Sequence, residues 1–443
     1  MTDDRSHSSL LPPPRFSQRR DWSSKQAISF LMQQGVENPG VISLAAGLVD
    51  PATLPVDEVR DTLADMLQEP AWGRIALQYG TTQGAETLRS QVLRHFAKLE
   101  GVEPAQLGID TRRLVLTTGS QQLLALVTEA LFDPGDIALV ASPTYFVFLG
   151  TLNGVGARTV PIPSDADGMR MDDLEAALAR IEREGQLDRV KLIYLVSYYE
   201  NPSGISLSDE RRRQAVEIAR RWSKRQRIYI LEDAAYRELR YDGPEHRSVW
   251  SYDPSHEQVI LAQTFSKTFS PGLRIGCGVL PEELVAPVCD RKGNEDFGSA
   301  NFNQNLLARI MQHGLYTSHV EQVRHGYRIK RDSMIAAADR YFSDIPGVDW
   351  VHPHGGLYVW MTLPEHIETG FESELFARAA KVEQVMYVPG ELCYGGPADE
   401  RPRNQMRLSF GVQDPEGIDQ GMERLAKAVR YCLEHTVGVH ASA

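Results

Sequence analysis

Lys267 stands in the segment Thr264-Phe265-Ser266-Lys267, directly after an apolar run at 259–263 and ahead of Pro271, Gly272 and Arg274. An amine, two hydroxyls and a guanidinium thus gather at one strand end, where ligands bind in open α/β sheets. An amine that attacks an aldehyde must first lose its proton, and burial or a neighbouring cation favours the neutral form. Thr264 and Ser266 can donate to a phosphate, and Arg274 can grip one with its planar fork. Taken alone, Lys267 is equally a surface lysine beside a solvated arginine.

Other segments place polar residues just beyond an apolar run. Gly119-Ser120-Gln121-Gln122 separates a strand at 113–117 from a helix at 121–131. Backbone N–H groups there can receive a phosphate, or simply cap the helix. Tyr145, in Ser-Pro-Thr-Tyr after a strand at 137–141, can stack on a ring or pack a core. Asn201-Pro202-Ser203-Gly204 follows a strand at 190–195 and by itself reads as a turn. Leu231-Glu232-Asp233-Ala234-Ala235-Tyr236 closes another strand. Asp233 is either a helix cap or the partner of a cation; Glu232 must point elsewhere, because adjacent strand residues alternate. Arg407, within 404–410, either lies on a strand edge or holds a carboxylate with two parallel bonds.

These positions require a frame. Strands are expected at 113–117, 137–141, 190–195, 228–231, 259–263 and 276–280, with helices at 84–99, 121–131, from 145, and at 208–224. Strand, crossover and strand recur, which predicts an α/β fold with a mostly parallel sheet covered on both faces. The stretch 293–303 is rich in Gly, Asn and Ser and reads as a loop; 306–340 reads as helix. Strands at 355–361 and 406–410 and a helix at 418–433 predict a second, smaller α+β unit. A helix should also run from 22–24 toward 34, after a polar arm. The expected division is 1–50 for arm and helix associated with the small unit, 51–325 for the large unit and 326–443 for the small one.

Composition excludes several classes. Of 443 residues, 42% are hydrophobic and 24% charged, as in ordinary globular proteins. A net charge of -12 argues against nucleic acid as a partner. The four cysteines form no CxxC pair, and the sequence shows no metal-ligand cluster. The first residues lack the apolar core of a secretion signal, and no apolar run approaches the roughly 18 residues of a membrane span. The expectation is a cytoplasmic protein that binds neither metal nor membrane.

The segment 264–276 resembles the lysine motif of fold-type I aminotransferases of class I/II. The likeness extends in order from about 42 to 410 and is nearest to the branch of 2-aminoadipate and aromatic aminotransferases. The resemblance implies pyridoxal 5'-phosphate held as a Schiff base on Lys267. Asp233 would face the pyridine nitrogen, while Tyr236 and Asn201 would face the ring oxygen. Tyr145 would stack on the ring, and Ser120, Gln121, Thr264, Ser266 and Arg274 would surround the phosphate. Arg407 would bind the substrate α-carboxylate, with Asn201 and Gly47 close by. Tyr79 would reach the phosphate of a neighbouring subunit, which implies a homodimer with shared sites. The substrates implied are an amino acid and a 2-oxo acid.

The same scaffold also carries β-lyases and other enzymes that activate Cα–H, and some relatives join it to a DNA-binding domain. About 40 residues precede the resembling region, too few for such a domain. Glu200 and Glu391 depart from the family pattern; Glu200 is expected to bring a negative charge near the substrate, and Glu391 either repels acidic side chains or faces solvent. In Gly355-Gly356-Leu357-Tyr358-Val359-Trp360, a strand beside the substrate, Tyr358 and Trp360 read as core packing.

Overall fold

The structure, a computed structural model, describes residues 14–23 and 40–440. The helix expected to run toward 34 lies outside the described residues beyond Ser23; before that point a short helix spans Gln18–Trp22.

Strand β1 (Ile42–Ser43) leads into the large unit, whose sheet contains β2 (Leu114–Thr117), β3 (Ile137–Ser142), β4 (Arg158–Asp165), β5 (Gly168–Met169), β6 (Val190–Val196), β7 (Tyr229–Asp233), β8 (Val259–Thr264) and β9 (Gly276–Val279). Their order is β2-β9-β8-β7-β6-β3-β4-β5. The pairs β3·β4, β3·β6, β6·β7 and β7·β8 are parallel, whereas β9 runs antiparallel to both β2 and β8. Six strands, β2, β3, β4, β6, β7 and β8, therefore end on the same edge.

The sheet is buried on both faces, as crossover helices require. Alternation along the strands divides its side chains between two cores. Ile137, Leu139, Ile193, Leu195, Ile230 and Leu261 enter one. Ala138, Val140, Leu192, Tyr194, Leu231 and Ile260 enter the other, against Leu123, Leu124 and Val127 of the helix Ser120–Leu131.

The smaller sheet is antiparallel. It contains β10 (Asp349–Trp350), β11 (Tyr358–Thr362), β13 (Val388–Pro389) and β14 (Gln405–Ser409), in the order β10-β11-β14-β13; β12 (Val385–Met386) pairs instead with β1. The β11·β14 register sets Trp360 opposite Arg407 and Tyr358 opposite Ser409. Tyr358, Trp360 and Arg407 consequently share one face. A single helix, Leu315–Phe342, runs across position 326, where the sequence placed the start of the second unit.

One expectation fails. The stretch 293–303 is mostly helical, because Glu282–Asp296 and Asn301–Gln312 leave only 297–300 between them. Phe297 at φ 58° and Gly298 at φ 154° complete the break within those few residues, so the local composition overstated its length. The expected helix 306–340 is likewise two helices, interrupted at His313 and Gly314.

Gly276 in β9 faces the turn at the start of the helix Ser120–Leu131. A Cβ on it would lie 2.5 Å from both Gly119 C and Ser120 N. Backbone cannot yield as a side chain can, so Gly276→Ala should cost about 1–3 kcal/mol, read as a lowered melting temperature. Gly326, inside the helix Leu315–Phe342, has nothing nearer its added Cβ than Thr53 Cγ2 at 3.7 Å. Gly326→Ala should raise the melting temperature through helix propensity, by up to about 1 kcal/mol.

Candidate active site

The shared strand edge opens into a cavity of about 150 Å³. Gly119, Ser120 and Gln121 line it from beyond β2, Tyr145 from beyond β3, Asn201 from beyond β6, and Asp233 and Tyr236 from the end of β7. Thr264, Ser266, Lys267 and Arg274 line it from β8 and the turn that follows. Side chains spread over 156 positions of sequence thus meet because parallel strands end together.

One end of the cavity suits an anion. Ser120 begins a helix of 12 residues, and its turn comes from Gly119 at φ 74°. A Cβ on Gly119 would approach Arg274 Nη2 to 2.8 Å, so the missing side chain leaves space for the guanidinium. Arg274 itself has φ 52°, a left-handed conformation that costs a non-glycine residue energy. Its Nη1 donates to Ser266 Oγ at 3.5 Å and its Nη2 to the Thr118 carbonyl at 3.4 Å. Thr264 Oγ1 donates to Ser266 Oγ at 3.1 Å. Gln121 Nε2 donates to Thr151 Oγ1, while its buried Oε1 has no partner among the described residues.

The other end suits a cation. Asp233 is 4% exposed and makes no ion pair among the described residues. Tyr194 donates to its Oδ2 at 2.9 Å and the Ala235 N–H to its Oδ1 at 3.2 Å. Burial nevertheless pushes its carboxyl up to about 6. The adjacent Glu232 points away from the cavity; it accepts from Ser197 and the Val249 and Trp250 N–H groups and lies 3.5 Å from Arg212.

Lys267 lies between these ends. Its Nζ donates to the Gly47 carbonyl at 2.7 Å. Burial lowers its affinity for a proton; Tyr358 opposes that, and Arg407 and Arg274 reinforce it. Arg407 is 3% exposed. Its Nη1 donates to Asn201 Oδ1 at 2.9 Å and its Nη2 to the Ala45 carbonyl at 2.7 Å, while its Nε has no partner among the described residues. Burial keeps the phenols of Tyr145 and Tyr236 protonated.

An anion cradle, a buried carboxylate without a cation and an amine poised to lose its proton together fit pyridoxal phosphate. Arg407 and Gly47 are absent from the cavity lining but touch residues that form it. Tyr79 does not line it; 88% exposed, it stands on the surface just past the helix Pro70–Leu77. Glu391 also lies elsewhere, with its carboxylate against Gly370. Tyr358, read from sequence as packing, joins the group: its hydroxyl is 3.1 Å from that of Tyr236, and the Arg407 guanidinium lies 4.3 Å from its ring. The glycine pair before it was the available signal, since glycine permits close backbone approach.

Residues 39–425 match the family described as aminotransferase class I and II. The chain is 34% identical to aromatic-amino-acid aminotransferase 1 of Thermococcus litoralis, over 89% of either chain. It is 31% identical to the 2-aminoadipate transaminase of Thermus thermophilus, over 90% of this chain and 92% of that protein. The crystal structure of the multiple substrate aminotransferase from Thermococcus profundus superposes with a TM-score of 0.85 at 32% identity, covering 95% of this chain and 98% of that one.

Glu200 corrects the expectation of a negative charge near the substrate. It is 4% exposed and accepts from Ser203 Oγ at 2.8 Å. Burial pushes its carboxyl up to about 8 from the ordinary 4.5, so the neutral form prevails at neutral pH. Between those values the folded protein keeps a proton that the unfolded chain releases. The resulting stability is fully present below about pH 4.5 and is lost as pH rises through about 8. Glu200→Gln cannot titrate. Its melting temperature should gain on that of the parent from pH 5 to 8 and hold a constant difference above that range. A difference that stays flat across the series contradicts a buried neutral acid.

Proposed function

The chain belongs to the class I and II aminotransferases, pyridoxal-phosphate enzymes that move amino groups between amino acids and 2-oxo acids, and we propose how its own residues divide that work. Lys267 would hold the cofactor at Nζ, and its amine is placed to move the substrate Cα proton. Ser120, Gln121, Thr264, Ser266 and Arg274 take the phosphate. Asp233 would balance a protonated pyridine nitrogen; Tyr236 and Asn201 would donate to the ring oxygen, and Tyr145 would cover the ring face. When bound, pyridoxal phosphate withdraws electrons from the substrate Cα and makes its proton acidic. Arg407 grips the α-carboxylate beside Gly47 and orients the Cα–H bond toward Lys267. The buried Nε of Arg407, which has no partner among the described residues, is the observation that carries this assignment.

The amino donor we propose is an aromatic L-amino acid. Phe146, Trp360 and Tyr394 form an apolar cluster on the Arg407 side, with the Phe146 ring 5.8 Å from the guanidinium. The named activity of the T. litoralis relative supports the same choice. The functional assembly is a homodimer whose Tyr79 completes the partner's phosphate site. Ile75, Leu77, Tyr79 and Phe297 are 58–88% exposed. Thr82 and Asn301 bring them together by donating to the carbonyls of Phe297, Ile75 and Gln78, and an apolar patch of this kind marks an interface. The division at 51 and 326 belongs to the same reading, supported by the two separate sheets. Among the described residues no helix is long and apolar enough to cross a membrane.

With donor alone and no acceptor, phenylalanine or tyrosine should convert the bound cofactor's absorbance at least about tenfold faster than aspartate, a difference of about 1.4 kcal/mol. Lys267→Ala should lose the absorbance of the lysine-linked cofactor, and its persistence contradicts the Lys267 assignment. Lys267→Ala and Tyr79→Ala, each inactive alone, should regain activity when mixed and allowed to exchange subunits, with about a quarter of the sites native if dimers re-form at random. Failure to complement, with exchange verified, removes the shared-site reading.

A further inference from the structure

We propose that Tyr358 is a positioning residue for the reaction: its hydroxyl donates to that of Tyr236 and so directs the Tyr236 proton into the cavity. The inference rests on the reading above, in which Tyr236 donates to the cofactor's ring oxygen.

Tyr358 opens β11 and is 2% exposed. Its side chain is held on several sides. The ring meets that of Tyr236 edge-on, with centroids 5.7 Å apart and planes at 81°. The Arg407 guanidinium covers it at 4.3 Å. Its hydroxyl lies against Gly47, where an added Cβ would come within 2.9 Å. The remaining neighbour is the Tyr236 hydroxyl at 3.1 Å, and either oxygen can be the donor.

Each phenol has one proton, and only one of the two protons can lie between the oxygens. Tyr236 lines the cavity and Tyr358 does not. If Tyr236 supplied the shared proton, it would offer only lone pairs to the cavity and could not donate to a ring oxygen. If Tyr358 supplies it, Tyr236 accepts from one side and donates on the other, and each bond polarises the next. Burial holds Tyr236 protonated, so it remains a donor. The ionisable groups acting on this pair are Lys267, Arg407 and Tyr145. The Arg407 guanidinium favours negative charge on the oxygen that Tyr236 would serve.

The test is a pH titration of the holoenzyme's visible absorbance, which reports the proton on the nitrogen linking Lys267 to the cofactor. Donation to the ring oxygen draws off the charge that holds this proton, so losing a donor raises the midpoint. Tyr236→Phe should raise it by about one unit. Tyr358→Phe, which keeps the ring over Arg407, should raise it by about half to one unit, a three- to tenfold change in the equilibrium. In the Tyr236→Phe background, Tyr358→Phe should add nothing. Substrate KM should stay within about twofold for Tyr358→Phe, whereas Tyr358→Leu, which strips the face from Arg407, should raise it. An unshifted midpoint in Tyr358→Phe, with Tyr236→Phe shifted, overturns this inference alone. So does a full shift from Tyr358→Phe in the double variant. An unshifted midpoint in Tyr236→Phe overturns the underlying role of Tyr236, and the inference with it.

Discussion

Parallel strands end on one edge, and the whole site depends on that constraint. β2, β3, β6, β7 and β8 share a direction, so the segments after each converge although long crossovers separate them in sequence. That convergence brings Ser120, Tyr145, Asn201, Asp233 and Lys267 around one cavity. The antiparallel β9 serves a different purpose. Its glycine lets the sheet come close to the Gly119–Ser120 turn, which shapes the anion end.

Charge is distributed along the cavity with little mutual cancellation. Arg274 stands at the anion end and Asp233 at the other, and neither is spent in an ion pair among the described residues. A buried carboxylate left this way, as Asp233 is, is costly unless a ligand supplies the counter-charge. A protonated ring nitrogen would do so, as a phosphate would for Arg274 at the other end. Lys267 between them feels burial and two cations, which together favour the neutral amine that nucleophilic attack requires. The burial that makes the Asp233 carboxylate costly on its own also favours the neutral amine of Lys267.

Much of this was legible in the sequence where local chemistry changes abruptly. Thr264–Lys267 and Asp233 announce themselves because polar groups interrupt runs of buried aliphatics at strand ends. The family resemblance pointed to Asp233 and strand alternation set Glu232 aside, and the two side chains do face opposite ways. Tertiary burial was not legible. Glu200 read as a charge because nothing nearby in sequence reveals that it is enclosed. The stretch 293–303 read as loop because Gly, Asn and Ser dominate it, yet packing keeps all but 297–300 helical. Tyr358 read as packing because its partner Tyr236 is 122 positions away in sequence.

The small sheet contributes more to the chemistry than its size suggests. One register, Trp360 opposite Arg407, sets Arg407 between two aromatic neighbours and aims it back toward Asn201 of the large unit. A slip of one residue would turn Arg407 to the opposite face and remove both the Asn201 bond and the cover from Tyr358. The Arg407–Asn201 pair is thus built across two sheets, with its guanidinium fixed by one and its carboxamide held beyond the other. The main chain joins them at Ala45 and Gly47, whose carbonyls accept from Arg407 and Lys267 respectively. That short segment therefore ties the position of the Arg407 guanidinium to that of the Lys267 amine, so a shift of its backbone would move both groups together.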